Sequence, residues 1–139
     1  MTEQEEHLLR VFDNLFKIRN ECSCGIFSEC GLSDMTVKQI RYLKTIDENG
    51  DVTFGRLAEI TRCSKPTITE TINKFVRMDC VYRQPCPDDG RIQYIRLTEK
   101  GQTIARAEQQ ALQRVVEMMA QSLDEQEIDV LTDILRKVR

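Results

Sequence analysis

The chain is poor in the groups on which catalysis and membrane insertion depend. Its 139 residues include a single histidine, His7. No glycine-rich phosphate loop is present, and no serine or cysteine has an evident partner base at a recognisable spacing, so an enzyme is not expected. His7 sits in an amphipathic terminal stretch and is expected to face solvent. No apolar run approaches the roughly 18 residues that a membrane helix needs. Met1 to Glu6 is acidic and polar, the opposite of a cationic leader, which makes a cytoplasmic address the expectation. At 40% hydrophobic and 31% charged, the composition is that of a folded domain rather than a disordered chain.

The informative stretch runs from Thr53 to Gly101. Phe54, Leu57, Ala58 and Ile60 predict a short apolar-faced helix, and Thr61 to Cys63 supplies a turn. Ser64 is suited to cap a second helix, with Pro66 in its first turn, where the missing N–H costs nothing. Ile68, Ile72, Phe75 and Val76 recur at helical spacing and are expected to face a core. That leaves Lys65, Thr67, Thr69, Glu70, Asn73, Lys74 and Arg77 outward. The short hydroxyls and the amide suit base edges in a major groove, while Lys65, Lys74 and Arg77 suit phosphates. A solvated polar face would look the same, so this helix alone does not decide the matter.

A charged hairpin follows. Val81 to Cys86 and Ile92 to Leu97 are β-prone runs, separated by the turn formers Pro87-Asp88-Asp89-Gly90-Arg91. Asp89, two positions before Arg91, is placed to hold the guanidinium in one orientation, which lowers the entropy cost of setting it in a narrow minor groove. A helix for one groove and a basic ribbon for another make two grips on one duplex.

With those residues in view, the segment resembles the winged-helix domain of the MarR family of transcriptional regulators. Asp89-Gly90-Arg91, Leu97-Thr98 and Gly101 match the family's wing signature. Thr36-Val37-Lys38-Gln39, followed by Ile40 and Leu43, is similar to its helix-opening pattern and also reads as a capping box. The chain departs from the family at Asp79-Cys80, where a glycine and an apolar residue are usual. The approach to the wing is therefore expected to be angled or stabilised differently. The resemblance implies a mainly α fold with a small β-hairpin, a winged helix-turn-helix over residues 33–101, and dimerisation helices over 1–32 and 102–139.

Charge is distributed accordingly. The net charge is −3, yet Gly55 to Lys100 holds nine Lys/Arg against six Asp/Glu, a local +3 that leaves −6 for the rest. Because fields are screened beyond about 8–10 Å, the local sign governs docking. At the ends, Leu8, Val11, Phe12, Leu15 and Phe16 form one apolar stripe, and Ile128, Leu131, Ile134, Leu135 and Val138 another. The C-terminal region is expected as helices from Glu99 to about Ser122 and from Asp124, capped with Glu127, to Val138. A small winged domain cannot cover both stripes, and the family resembled interlaces these helices in a homodimer. A monomer with the helices folded back is the alternative. Two-fold symmetry then implies a pseudo-palindromic double-stranded DNA operator.

The remaining feature is the group Cys22, Cys24 and Cys30, among six cysteines in all. If the first helix ends near Glu21, these thiols fall in a glycine-containing loop beside the dimer helices. Structural thiols, redox sensing and ligation of a soft metal ion all remain open, although Cys-x-Cys lacks the spacing typical of zinc sites. The family resembled includes thiol-oxidation sensors, metal sensors and binders of small aromatic acids, so a small-molecule effector is a further candidate. Cys63 precedes a helix N-terminus, which can lower a thiol pKa, but burial in the turn is expected.

The expected function is sequence-specific DNA binding by a transcriptional regulator, with repression by operator occlusion. Its DNA site is expected to comprise Ser64, Lys65, Pro66, Thr67, Thr69, Asn73, Lys74, Arg77, Asp89 and Arg91. The alternative is a winged-helix adaptor or anti-repressor that binds a protein partner and has no duplex preference.

Overall fold

A computed structural model of the protein describes residues 1–31 and 35–139. Helices α1 (Glu3–Glu29) and α2 (Val37–Asn49) are followed by strand β1 (Val52–Thr53), then α3 (Phe54–Thr61) and α4 (Lys65–Arg77). Strands β2 (Val81–Pro85) and β3 (Gln93–Leu97) come next, and α5 (Glu99–Ala105), α6 (Ala107–Ser122) and α7 (Glu125–Arg136) complete the chain. The chain divides into a unit comprising Ile26–Ala107 and another made of Met1–Gly25 with Glu108–Arg139. The expected division at 32/33 lies outside the described residues. A cut at 101/102 would split α5, whose Ile104 and Ala105 belong to the core of the first unit. Among the described residues no helix is long and apolar enough to cross a membrane.

The winged unit packs around Leu43 and Ile46 of α2, Leu57 of α3, Ile68, Ile72 and Phe75 of α4, Val81 and Ile95 of the sheet, and Ile104 of α5. None of these is more than 2% exposed. Burial on that scale stabilises by about 1.5–3 kcal/mol per large side chain before entropy is counted. Val76, expected in this set, is 41% exposed. Eight residues after Ile68 it is rotated roughly 80° from it, beyond the edge of the face that Ile68, Ile72 and Phe75 define. The capping box at Thr36 is present: Gln39 N donates to Thr36 Oγ1 at 3.1 Å, and Thr36 N donates to Gln39 Oε1 at 3.0 Å.

The expected hairpin is part of an antiparallel sheet of order β1-β3-β2, with Val52 opposite Ile95 and Val81 opposite Leu97. β1 spans only two residues, too few for any alternating pattern, which is why the sequence reading missed it.

The unusual Asp79 ends α4 in a left-handed conformation, with φ 59°. Cys80 N donates to Phe75 O and Asp79 N to Val76 O, both at 3.0 Å, the paired bonds by which a left-handed cap closes a helix. The next segment supplies further support. Thr98 Oγ1 donates to Asp79 O at 2.7 Å, Thr98 N to Cys80 O at 3.0 Å, and Lys100 Nζ to Met78 O at 3.1 Å. The departure from glycine is thus met by partners from the far side of the wing. Thr98 also caps α5 by accepting from Gly101 N at 3.0 Å. A Cβ at position 101 would collide with the Cys80 carbonyl oxygen, so glycine is required there by close approach rather than by its own torsions.

Two expectations about the terminal helices need correction. The helix foreseen from Glu99 to Ser122 is interrupted at Arg106, which follows α5 and forks onto Asp47 with bonds of 2.9 and 2.8 Å. That ion pair and the buried Ile104 and Ala105 commit α5 to the winged unit. The first helix does not end near Glu21: α1 continues to Glu29, so Cys22 and Cys24 are helical and not in a loop. A single Gly25 costs a helix only about 1 kcal/mol, and Phe27 and Cys30, packed against the winged core, provide tertiary compensation.

In the terminal unit, the apolar stripes are half-buried at Phe12, Leu15, Ile128 and Leu131 and exposed elsewhere. Leu8, Val11 and Phe16 of α1 are exposed, as are Leu112 and Val116 of α6 and Ile134, Leu135 and Val138 at the C-terminus. α7 contains no buried residue. Its capping box is formed, Glu127 N donating to Asp124 Oδ1 at 2.8 Å and Asp124 N to Glu127 Oε1 at 3.1 Å.

Candidate nucleic-acid interface

α3 closes with Arg62 at φ 56°, its last carbonyls accepting from Arg62 N and Cys63 N. The chain then turns into Ser64, whose hydroxyl accepts from Thr67 N at 3.3 Å and caps α4. The two helices are joined tightly, which fixes the direction in which α4 leaves the core.

The outward residues of α4 fall on two sides. Lys65, Thr69, Asn73 and Arg77, each four residues from the next, line one trough with Pro66 and Glu70. Thr67 and Lys74 line another depression with Thr71 and with Thr36, Lys38 and Gln39 of the α2 start. Among the described residues, Lys65, Lys74 and Arg77 form no ion pair with a carboxylate, so their charges are available to an external anion. The Thr69 hydroxyl donates to Lys65 O at 3.0 Å, which leaves its oxygen lone pairs as acceptors.

Asn73 is not a free amide. Arg83 of β2 donates to its Oδ1 and stacks over Phe54 at 5.4 Å. With the oxygen occupied, the amide presents mainly its N–H donors. Arg83 was missed because an arginine in an exposed strand gives no signal until the wing is folded against α4.

At the wing, Arg91 N donates to Asp89 Oδ1 at 3.0 Å and Arg91 Nε donates to the same oxygen at 3.2 Å. The Arg91 side chain is nevertheless 93% exposed. The pair therefore orients the guanidinium without hiding it, as the Asp-x-Arg spacing implied. Surface pairs of this kind add little stability, about 0–1 kcal/mol. Lys100, counted in the local positive charge, is instead engaged with the α4 C-terminus.

The thiols lie in different settings. Cys22 and Cys24, two residues apart on α1, point roughly 200° apart around the helix, and Cys30 packs against the winged core. Among the described residues no group of three or more His, Cys, Asp or Glu is gathered as a metal site. Cys80 is fully buried, and that burial pushes its thiol pKa up. Cys63 is only half-buried, contrary to expectation. The Tyr42 hydroxyl lies 3.1 Å from its sulfur, and this hydrogen bond, followed by one with Thr61, draws the thiol pKa down. Cys86 at the wing is also drawn down, first by the backbone of Asp88 and Asp89 and then by the Tyr94 hydroxyl.

Comparison with known proteins agrees with this geometry. Residues 35–92 match the model of the MarR family. A helix-turn-helix-type transcriptional regulator of Mycobacterium bovis is 30% identical over 99 residues, covering 71% of this chain and 69% of the relative. Among solved structures, a mutant of S. aureus MepR aligns over 99% of this chain and 94% of its own, with TM-score 0.71 and 18% identity. Streptococcus pneumoniae FabT in complex with DNA aligns over 96% and 91%, with TM-score 0.57 and 23% identity.

Proposed function

Because the chain belongs to the MarR family of transcriptional regulators, we propose that it grips duplex DNA with α4 in the major groove and the wing tip in the adjacent minor groove. The observation that carries this reading is the pairing of an α4 face on which Lys65 and Arg77, without carboxylate partners, flank Thr69 and Asn73, with an Arg91 that is oriented by Asp89 yet exposed. Thr67, Thr69 and Asn73 read base edges, Lys65, Lys74 and Arg77 neutralise phosphates, and Ser64 and Pro66 set the helix start that approaches the backbone. Glu70 lies in the same trough and suits a cytosine amino group better than a phosphate.

The protein acts as a homodimer. The exposed apolar side chains on α1, α6 and α7 are what a second copy of the chain would bury, and a modest local charge makes two DNA contacts necessary for tight binding. The two α4 helices then meet successive major grooves about 34 Å apart, and the operator is an inverted repeat. The protein regulates by binding rather than catalysis, in the cytoplasm, by occluding a promoter. S. pneumoniae FabT, which shares the fold, has been solved in complex with DNA, and this supports duplex DNA as the ligand.

Selection from a randomised duplex pool tests the reading. An enriched inverted repeat with half-sites about one turn apart supports it. A pool that remains random, with the protein folded and dimeric, would favour the adaptor instead.

A further inference from the structure

Cys63 opens on a cavity of about 400 Å³ lined by Lys38, Arg41, Tyr42, Thr45, Ile60 and Thr61, a size within the usual range for small-ligand sites. Among the described residues neither Lys38 nor Arg41 is held by a carboxylate. The cavity therefore combines two available cations, an apolar wall at Ile60 and a half-exposed nucleophile 3.1 Å from a phenol. No residue of the DNA-reading face proposed above lines it, yet Cys63 immediately precedes Ser64, the cap of α4. Lys38 and Tyr42 also line the depression shared with Thr67 and Lys74.

We propose that this cavity is a covalent modification site for small anionic disulfides, and that the adduct on Cys63 weakens DNA docking through the start of α4. The cations hold the carboxylates of the incoming disulfide. The Tyr42 hydroxyl donates to the Cys63 thiolate and favours it over the thiol, the direction in which the group is shifted. The thiolate sulfur attacks one sulfur of the disulfide, a Cys63–S–S–R bond forms, the original S–S bond breaks, and the departing thiolate takes a proton from water. Excess thiol reverses the step. The attached group then occupies space beside Lys38 and the Ser64 cap, where a base-reading helix has to approach its groove.

The wing supplies an internal comparator. Cys86 is also drawn down, but its neighbours are Asp88 and Asp89, so it shares the activation without the cationic cavity.

The test uses the intact protein, reduced, with glutathione disulfide as anionic probe and cystamine as cationic probe, followed by peptide mass spectrometry. With glutathione disulfide, Cys63 should react at least about tenfold faster than the exposed Cys24, and with cystamine the preference for Cys63 over Cys86 should fall severalfold. Lys38→Gln with Arg41→Gln should remove the charge preference. Tyr42→Phe should slow Cys63 at neutral pH but not at high pH, a profile that mere loss of packing would not give. Cys63→Ser, which keeps a small hydroxyl beside Tyr42, should abolish the adduct. Cys63 reacting no faster than Cys24, or equally with both probes, overturns the site. Duplex affinity measured before and after modification should fall severalfold and recover on reduction, and unchanged affinity overturns the coupling. The adduct step rests on no DNA contact, whereas the coupling rests on the docking reading. Failure of the unmodified protein to bind any duplex would overturn that reading and the coupling with it, while the rate ratios still decide the cavity.

Discussion

The hydroxyl of Thr98 donates to the carbonyl of Asp79 at 2.7 Å, tying the start of α5 to the left-handed residue that ends α4. With Gly101 packed against the Cys80 carbonyl, this contact sets the wing's angle to the recognition helix. Gly101→Ala should destabilise the protein by at least about 2 kcal/mol, because neither backbone can move without shifting the sheet. Asp79→Gly should stabilise it by about 1 kcal/mol or less, since relief of the left-handed strain is partly offset by chain entropy. Urea unfolding measures both, and a tolerated Gly101→Ala would contradict the close approach.

Arg91→Ala should weaken operator binding by at least about 1 kcal/mol per dimer without loss of stability. Asp89→Ala should weaken it less, because it frees the guanidinium without removing it. Fluorescence titration at fixed salt checks both, and unchanged affinity for Arg91→Ala would remove the wing from the interface.

Changes at Thr67, Thr69 or Asn73 should alter the selected DNA motif, while Lys74→Ala should weaken all duplexes similarly and flatten the salt slope. Arg83→Ala should behave like an Asn73 variant, because it releases the amide that it holds. Recovery of the parental motif from every variant would remove the base-reading assignment.

Leu131→Glu with Ile134→Glu should give monomers that bind DNA poorly, at a cost of several kcal/mol for each charge buried unpaired. Sedimentation that finds a stable parental monomer, or an intact dimer in the double variant, would place the interface elsewhere.

Cys80 should resist alkylation in the folded protein and react only on unfolding. Burial raises its folded pKa above the usual thiol value, so at alkaline pH the unfolded chain releases this proton first. Its contribution to stability is present below the ordinary thiol range and declines as pH rises through and beyond that range. Alkylation of Cys80 at the same rate as Cys24 under native conditions would contradict this.

Much of the candidate DNA-binding region was legible in the sequence because its signals are local. Ser64 caps a helix, Thr36 and Gln39 close a box, and Asp89 meets Arg91 two residues away. What escaped the sequence depends on pairing at a distance. β1 exists because Val52 lies opposite Ile95, Arg83 matters because it reaches Asn73, and α5 separates from α6 at the residue that forks onto Asp47. The cysteine loop failed for the converse reason. Gly25 and neighbouring small polar residues suggest a break, but packing of Phe27 and Cys30 on the winged core carries the helix through.

Duplex affinity as a function of salt, measured by anisotropy on a selected operator and on a scrambled duplex of equal length, bears on DNA gripping by α4 and the wing. Log K for the operator should fall linearly with log salt, with a slope of about −0.9 per phosphate neutralised, and should exceed that for the scrambled duplex by about 10³ or more at physiological salt. Equal, salt-independent affinities for the two duplexes would contradict it.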